Sequence, residues 1–205
     1  FDPAPVCSKT SYGNAGVISP WTCVPQSMPG LWKQVPGWLI DPDGPVSIRP
    51  SYMPKLLPWV LRFLAAGRPQ RIDPVANAMF RLSKGSVAAY KKRLDGTGKE
   101  SLVRDSMYIH VYRSSKSASL DHLGWQLRQA RQVPIELIDK ATLREIEPEI
   151  ADQYQAAILI KQQGRASDPA GIGIALAEKA LAKGASHLQT KVPEIHPDQG
   201  EGCRL

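Results

Sequence analysis

The chain has 205 residues, of which 42% are hydrophobic and 22% are charged, an ordinary globular composition. Three cysteines without C-x-x-C spacing (Cys7, Cys23 and Cys203) indicate neither a disulfide framework nor a zinc site. No run approaches the roughly 20 apolar residues of a membrane-spanning helix, since the most apolar run, Leu56–Ala66, contains a proline and an arginine. The sequence therefore predicts one sizeable domain or two smaller ones.

The net charge of +7 is concentrated in the middle of the chain. Residues 49–131 contain 16 Lys or Arg against 5 Asp or Glu, whereas the remaining residues are acidic on balance. Such a basic stretch is compatible with a binding module for nucleic acid or an anionic surface. A solvated helical face explains it better, because the charges are scattered at helical intervals without the aromatic residues of a nucleic-acid platform.

The first distinctive stretch is Lys9–Pro20, which is short, polar and punctuated by glycines. Gly13 and Gly16 allow backbone amides to approach a ligand closely, and Thr10, Ser11 and Asn14 add hydroxyl and amide donors. The segment is thus suited to hold a charged diphosphate without a lysine. A surface loop rich in turn-forming residues is the alternative interpretation.

The stretch before it opens Phe1-Asp2-Pro3, like the end of a hydrophobic strand that finishes in an acid. In a dinucleotide-binding fold, an acid about 20 residues beyond the glycine turn accepts hydrogen bonds from the adenosine ribose. Asp2 is placed for that role.

Both helices and strands are predicted for the rest of the chain. The segment Trp21–Pro50 is rich in proline and tryptophan, and it is predicted to be irregular but packed on the rest of the protein. Spacing of apolar residues and end signals then predict the later elements. These are a helix Pro54–Ala66, a helix from Asp73-Pro74 to the residue before Asp95, a strand Met107–Arg113, a helix Leu120–Arg131, a strand Pro134–Ile138, a strand Ala156–Lys161, a helix from Pro169 to Lys183 capped by Asp168, a strand His187–Val192 and the start of a strand at Gly202–Leu205.

Three details bear on possible sites. Side chains alternate along a strand, so Tyr108, His110 and Tyr112 lie on one face of theirs. This face is predicted to be the solvent-exposed side of a sheet, and the alternative interpretation is the wall of a pocket. The G-x-G-x-x-A pattern that starts at Gly171 is rejected as a nucleotide turn, because the helix has already begun at Pro169. The four histidines lack partners at metal-ligand spacing, so no metal site is predicted.

Asp2 followed by Thr10-Ser11-Tyr12-Gly13-Asn14-Ala15-Gly16-Val17-Ile18-Ser19-Pro20 resembles the FAD-dependent oxidoreductases of the D-amino-acid oxidase superfamily. Within that superfamily the chain resembles the small subunit of bacterial D-amino-acid dehydrogenase. The resemblance implies an FAD cofactor, with the adenine edge read through the backbone of Val192. The cofactor-binding residues that it implies are Asp2, Thr10, Ser11, Asn14, Ala15, Gly16 and Val192.

The resemblance also implies an α/β plus α+β fold, in which a partial FAD-binding Rossmann-like domain carries an inserted antiparallel-sheet substrate domain. Residues 1–40 are expected to form part of the FAD-binding domain and the crossover, residues 41–165 the substrate domain, and residues 166–205 the return to the FAD-binding domain. The chain is expected to be an internal fragment, with the Gly-x-Gly-x-x-Gly turn ahead of Phe1 and the half that closes over the flavin beyond Leu205.

The implied activity is oxidative deamination of a D-amino acid or a related amine. A hydride passes from the substrate carbon to the flavin, the imine is hydrolysed, and the reduced flavin passes its electrons to an acceptor. The enzyme is expected to be either a dehydrogenase, with a quinone or the respiratory chain as acceptor, or an oxidase. No nucleic-acid partner is implied, no catalytic side chain is assigned, and neither Arg49 nor Arg165 is assigned to the substrate carboxylate. The expected location is cytoplasmic, and the alternative is a peripheral position on the inner face of the cell membrane, with an amphipathic contact through Leu56–Ala66. The alternative function is a non-enzymatic basic binding module within residues 49–131.

Overall fold

The fold mixes helices and sheet in a computed structural model that describes residues 2–41 and 47–192, and the backbone of residues 196–197 and 203–204. The strands are β1 (Val17–Ile18), β2 (Val103–Tyr112), β3 (Ile135–Asp139), β4 (Ala156–Ala166), β5 (His196–Pro197) and β6 (Cys203–Arg204). The helices are α1 (Val35–Ile40), α2 (Met53–Ala66), α3 (Pro69–Ser83), α4 (Ser86–Leu94), α5 (Leu123–Gln129), α6 (Lys140–Ile146) and α7 (Pro169–Ala182). A mixed helix and sheet fold was the coarse expectation, and it is confirmed.

Strand β4 organises the main sheet. It pairs with β1 and β2 in the order β1-β4-β2, and β3 pairs with β4 as well. The β1 pairing is antiparallel and places Val17 opposite Arg165, and the β3 pairing is antiparallel with Ile138 opposite Ala157. The residues of β4 from Ala156 to Ile160 are all buried, as expected of a strand covered on both faces.

The chain folds into two compact units, each built from separate stretches of sequence. The first unit contains Phe1–Pro20, Gly85–Met107 and Gln162–Leu205, and the second contains Trp21–Lys84 and Tyr108–Lys161. The core of the first unit joins β1, β4 and α7 through Ile18, Leu94, Val103, Ala166, Ile172 and Ala175.

The second unit has separate apolar clusters on the two faces of β2. Ile109 and Val111 pack with the cluster that contains Leu143 of α6, whereas Tyr108 and Tyr112 pack with the cluster that contains Trp125 of α5. The predicted alternation along this strand is therefore confirmed. The face predicted to be solvent-exposed is covered in part: Tyr108 and Tyr112 are half-buried against the cluster of Trp125, whereas His110 between them is exposed.

Three element predictions need correction. Helix α3 begins at Pro69 rather than at Asp73-Pro74, and Pro74 lies inside it. The predicted single helix up to Asp95 is two helices, since Gly85, with φ of 84°, separates α3 from α4. The predicted strand His187–Val192 is irregular, and the ends of the predicted strand Gly202–Leu205 lie outside the described residues.

Helix α7 follows its predicted start signal. The carboxylate of Asp168 accepts a hydrogen bond from the N–H of Gly171 at 2.8 Å, and Pro169 occupies the first turn, where its missing N–H costs nothing. This cap fixes the point at which the chain passes from β4 into α7, which places α7 beside the Lys9–Pro20 segment in the first unit.

We expect Asp168→Ala to lower the free energy of unfolding by about 1 kcal/mol, because one amide of the first turn loses its acceptor. Asp168→Asn keeps an oxygen acceptor and should cost much less. Urea denaturation of the two variants checks this, and equal losses for alanine and asparagine would show that the cap does not stabilise α7.

Candidate cofactor site

The Lys9–Pro20 segment forms a series of turns that ends in β1. The N–H of Tyr12 donates to the carbonyl of Lys9 at 2.9 Å, and Gly13 and Gly16 have φ of 69° and 70°. Residues other than glycine rarely adopt such angles. The two glycines therefore determine the turns of the segment, whereas its binding role stays a prediction.

Gly16 fastens this segment to the end of β4. Its carbonyl accepts from the N–H of Ala166 at 2.7 Å, and its own N–H donates to the side-chain oxygen of Asn14 at 2.8 Å. A Cβ on Gly16 would collide with the backbone carbonyl of Ala166. The close approach of two backbones thus requires glycine at this position.

A cavity of about 230 Å³ lies beside the segment, within the first unit. Ser11, Asn14 and Gly16 line one part of it, and Ile172 and Gly173 of α7 line another. None of the described residues around the cavity carries a charge. Its volume is below the roughly 300–1,000 Å³ of a complete small-molecule site, so it suits a part of a cofactor rather than a whole dinucleotide.

The donors at this cavity match the chemistry of a diphosphate. The side-chain oxygen of Asn14 is engaged by Gly16, so its amide hydrogens are the group it offers to a ligand. Ser11 is half-buried and adds a hydroxyl. Hydrogen-bond donors without fixed charge stabilise a phosphate oxygen through oriented dipoles, as glycine-rich anion sites do. The residues present therefore fit the phosphate region of a nucleotide cofactor.

The other predicted residues lie away from the cavity lining. Thr10 and Ala15 are exposed, and Val192 is half-buried. Asp2 is exposed, and its carboxylate accepts from the N–H of Ala4 at 2.8 Å. The structure thus brings three of the seven predicted residues to one cavity, and the FAD role of all seven stays a prediction.

Asp2 and Val192 nevertheless belong to neighbouring segments. The N–H of Asp2 donates to the carbonyl of Leu188 at 3.2 Å, and the side-chain amide of Gln189 donates to the carbonyl of Pro3 at 3.4 Å. The chain start and the stretch that leads to Val192 therefore run side by side. An adenosine bound by both residues requires this kind of adjacency.

The sequence missed the α7 side of the cavity. Pro169, Ile172 and Gly173 are more than 150 positions from Asn14, and nothing in their spacing links them to it. A Cβ on Gly173 would meet the sulfur of Cys7, and one on Gly171 would meet the carboxylate of Asp168. Close packing therefore explains why both positions are glycine. This agrees with the rejection of the G-x-G-x-x-A pattern as a nucleotide-binding turn.

A second polar cluster lies around α5 in the second unit. The Arg128 guanidinium lies 4.6 Å from the centre of the Trp125 ring, and the ring of His110 meets Trp125 edge-on at 5.1 Å. Burial lowers the pKa of Arg128, and burial together with Arg128 lowers the pKa of His110. Burial also raises the pKa of the Cys23 thiol despite the nearby arginines. Within the described residues, no group of His, Cys, Asp and Glu is arranged to hold a metal ion.

With this geometry in place, the family assignment is direct. The family model DAO, described as FAD dependent oxidoreductase, matches residues 1–204. The chain belongs to the DAO family of FAD-dependent oxidoreductases.

Individual relatives agree with this family. The chain is 36% identical over 182 residues to the D-amino-acid oxidase of Bradyrhizobium diazoefficiens, covering 88% of this chain and 43% of that protein. It is 32% identical over 134 residues to the D-amino acid dehydrogenase of Phenylobacterium zucineum, covering 64% of this chain and 31% of that protein. The chain therefore spans less than half the length of these relatives.

Among solved structures, glycine oxidase from Bacillus cereus is similar at a TM-score of 0.49 and 21% identity, covering 58% of this chain and 34% of that chain. L-proline dehydrogenase from P. horikoshii is similar at a TM-score of 0.43 and 20% identity, covering 55% of this chain and 31% of that chain.

Proposed function

We propose that this chain is part of an enzyme that oxidises a D-amino acid or a related amine with FAD. The observation that carries the proposal is the cavity lined by Ser11, Asn14 and Gly16 in a chain of the DAO family. Relatives named D-amino-acid oxidase and D-amino acid dehydrogenase support the substrate class. The alternative of a non-enzymatic basic binding module within residues 49–131 gains no support from this family.

In the proposed complex, the first unit holds the cofactor. Ser11 and Asn14 donate to the diphosphate, and the bare backbone at Gly16 lets the ligand approach the segment. Asp2 accepts from the ribose hydroxyls, and Val192 reads the adenine edge through its backbone. When bound, FAD supplies the acceptor for the hydride that leaves the substrate carbon.

The course of the chain supports an inserted substrate domain. The chain starts in the first unit, enters the second at Trp21 and is back in the first from Gln162 onwards, after one intermediate return at Gly85–Met107. We assign the first unit to the partial FAD-binding domain and the second to the substrate domain. The predicted limits at residues 40 and 165 stay predictions.

The remaining parts of the proposal concern electrons and location. We infer that the reduced cofactor passes its electrons to a quinone or another respiratory-chain acceptor on the cytoplasmic side of the membrane. Relatives named D-amino acid dehydrogenase support this acceptor, whereas the relative named D-amino-acid oxidase supports oxygen as the alternative.

The decisive experiment uses the protein as its gene encodes it. We expect a purified protein with a flavin absorbance spectrum that bleaches on addition of a D-amino acid and not of its L enantiomer. An artificial electron acceptor should restore the oxidised spectrum faster than air does. A protein that neither copurifies with FAD nor binds added FAD would overturn the proposal, whichever substrates are tried.

Residue roles can be tested by Asn14→Asp, which keeps the oxygen that Gly16 uses but replaces the amide donors with a negative charge. We expect FAD affinity to fall by about tenfold or more, since a hydrogen bond to a charged group contributes roughly 1.5–3 kcal/mol. Fluorescence titration of the apoprotein with FAD measures this.

The matched control is Ser8→Ala. The Ser8 hydroxyl is exposed and donates to the carbonyl of Pro5 at 2.8 Å, away from the cavity. FAD affinity should be unchanged in this variant. If Asn14→Asp binds FAD as tightly as Ser8→Ala, the segment does not contact the diphosphate.

A further inference from the structure

Tyr90 lies in the middle of the packed face of helix α4, in the first unit. Val87, Tyr90 and Leu94 are three and four positions apart, so they share one face of this helix. Leu94 is fully buried, and Val87 packs against the cluster that contains Ile18. Tyr90 lies between these two residues along the helix and is nevertheless 40% exposed. The packed face of α4 therefore borders open space at Tyr90.

The open space beside Tyr90 is the candidate cofactor cavity. Tyr90 lines this cavity together with Ser11 and Asn14, although it is distant from both along the chain. Apolar side chains line another part of the cavity, and they are Ile18, Ile172 and Leu176. A phenol has an apolar ring and a polar tip, so it suits a cavity that has both kinds of wall.

The hydroxyl of Tyr90 is available to a ligand. Among the described residues, none forms a hydrogen bond with this hydroxyl or with that of Ser11. The amide hydrogens of Asn14 are available as well, because only its side-chain oxygen is engaged by Gly16. Three neutral groups that can donate a hydrogen bond thus line one cavity, and they come from two separate parts of the chain.

Contacts at both ends of α4 fix the position of Tyr90. Near the start of the helix, Val87 lies so close to Gly164 of β4 that a Cβ on this glycine would collide with the valine side chain. At the end of the helix, the ammonium group of Lys179 on α7 donates to the carbonyl of Arg93 at 2.9 Å. A tyrosine on an anchored helix has only two torsion angles left to fix, so it binds a ligand at a low entropic cost.

We propose that Tyr90 positions the cofactor by donating its hydroxyl hydrogen to the diphosphate that Ser11 and Asn14 also contact. This inference rests on the proposed function, and it adds a donor from α4 to those of the Lys9–Pro20 segment. A hydrogen bond to a charged oxygen is roughly twice as strong as one between neutral groups. Tyr90 is thus a positioning residue for the phosphate region of the cofactor.

The test is Tyr90→Phe, which removes the hydroxyl and keeps the ring. Fluorescence titration of the apoprotein, prepared from the protein as its gene encodes it, should show FAD affinity lowered by about tenfold. ADP carries the adenosine and the diphosphate but no flavin, and its affinity, measured by competition with FAD, should fall by the same factor. The visible absorption spectrum of the bound flavin should stay unchanged, because the lost contact is to a phosphate.

Two controls separate ligand binding from folding. Tyr52→Phe removes the hydroxyl of a tyrosine of the second unit that is 54% exposed, and it should leave the affinities for FAD and ADP unchanged. Urea denaturation of the Tyr90→Phe apoprotein should give the midpoint of the wild type, because this hydroxyl has no hydrogen-bond partner among the described residues.

Three outcomes would overturn this inference while the proposed function stands. They are wild-type FAD affinity in Tyr90→Phe, a loss of FAD affinity that ADP does not share, and a lowered urea midpoint of the variant apoprotein. The first would leave Tyr90 a packing residue, the second would place its hydroxyl beside the flavin half of the cofactor, and the third would assign the hydroxyl to the fold. Wild-type protein that binds no FAD would overturn the proposed function itself, and this inference with it.

Discussion

Gly16→Ala is expected to lower the free energy of unfolding by about 3 kcal/mol and to abolish measurable FAD binding. Two costs combine at this position. Alanine is strained at φ of 70°, and its Cβ would collide with the Ala166 carbonyl. The collision involves backbone on both sides, so a change of rotamer does not relieve it. The segment must detach from β4, which removes Ser11 and Asn14 from their cavity.

Gly13→Ala provides the matched control. Gly13 has φ of 69°, almost the same as Gly16, but a Cβ there meets no atom within 4 Å. Only the conformational cost applies, about 1 kcal/mol. Urea denaturation and FAD titration of both variants measure the difference. Equal losses at the two glycines would mean that contact with β4 contributes nothing, and the anchoring role of Gly16 would be wrong.

This pair of glycines also shows what the sequence could predict. Glycine and small polar residues are enough to predict a tightly turned segment with polar side chains, because positive φ and side-chain chemistry are local properties. The partner of Gly16 is a long-range property. β1 has two residues and pairs with Arg165 and Gly164, so it has no periodicity by which the pairing could be found.

The cavity illustrates the same limit. Asp168-Pro169 correctly predicted the start of α7, since a cap and a first-turn proline are local signals. That α7 then supplies Ile172 and Gly173 to a cavity with Asn14 depends on packing between distant segments. A single sequence contains no pattern that reports this contact.

The error in α3 has a physical cause. Asp73-Pro74 resembles a helix start as closely as Asp168-Pro169 does, yet α3 begins at Pro69. Pro74 inside the helix cannot donate the backbone hydrogen bond of that position, a cost that tertiary contacts must offset. The Asp73 carboxylate is engaged by Asn77 at 3.1 Å and by Arg131 at 2.7 Å instead of capping a helix. In the folded protein the Asp73 side chain is therefore paired with Asn77 and Arg131 and does not act as a helix cap.

Arg131 is therefore expected to be a major stabilising residue of the second unit. Its side chain is only 5% exposed, and it joins α3 to the end of α5. It donates to the Asp73 carboxylate and the Asn77 side-chain oxygen at 2.7 Å each, and to the carbonyl of Leu127 at 2.9 Å. We expect Arg131→Met to lower the free energy of unfolding by about 2–3 kcal/mol. This is below the roughly 3–5 kcal/mol of a fully buried pair, because Asp73 is 68% exposed and regains water.

Arg131→Lys separates geometry from charge. Lysine keeps the positive charge but lacks the planar fork that reaches Asp73, Asn77 and Leu127 together, so most of the loss should remain. Lys91→Ala is the control for an exposed pair, since Lys91 and Asp105 meet at 2.7 Å in solvent, and it should cost less than about 1 kcal/mol. Urea denaturation midpoints rank the variants. If Arg131→Lys is as stable as the wild type, charge alone suffices, and the guanidinium fork does not stabilise the contact between α3 and the end of α5.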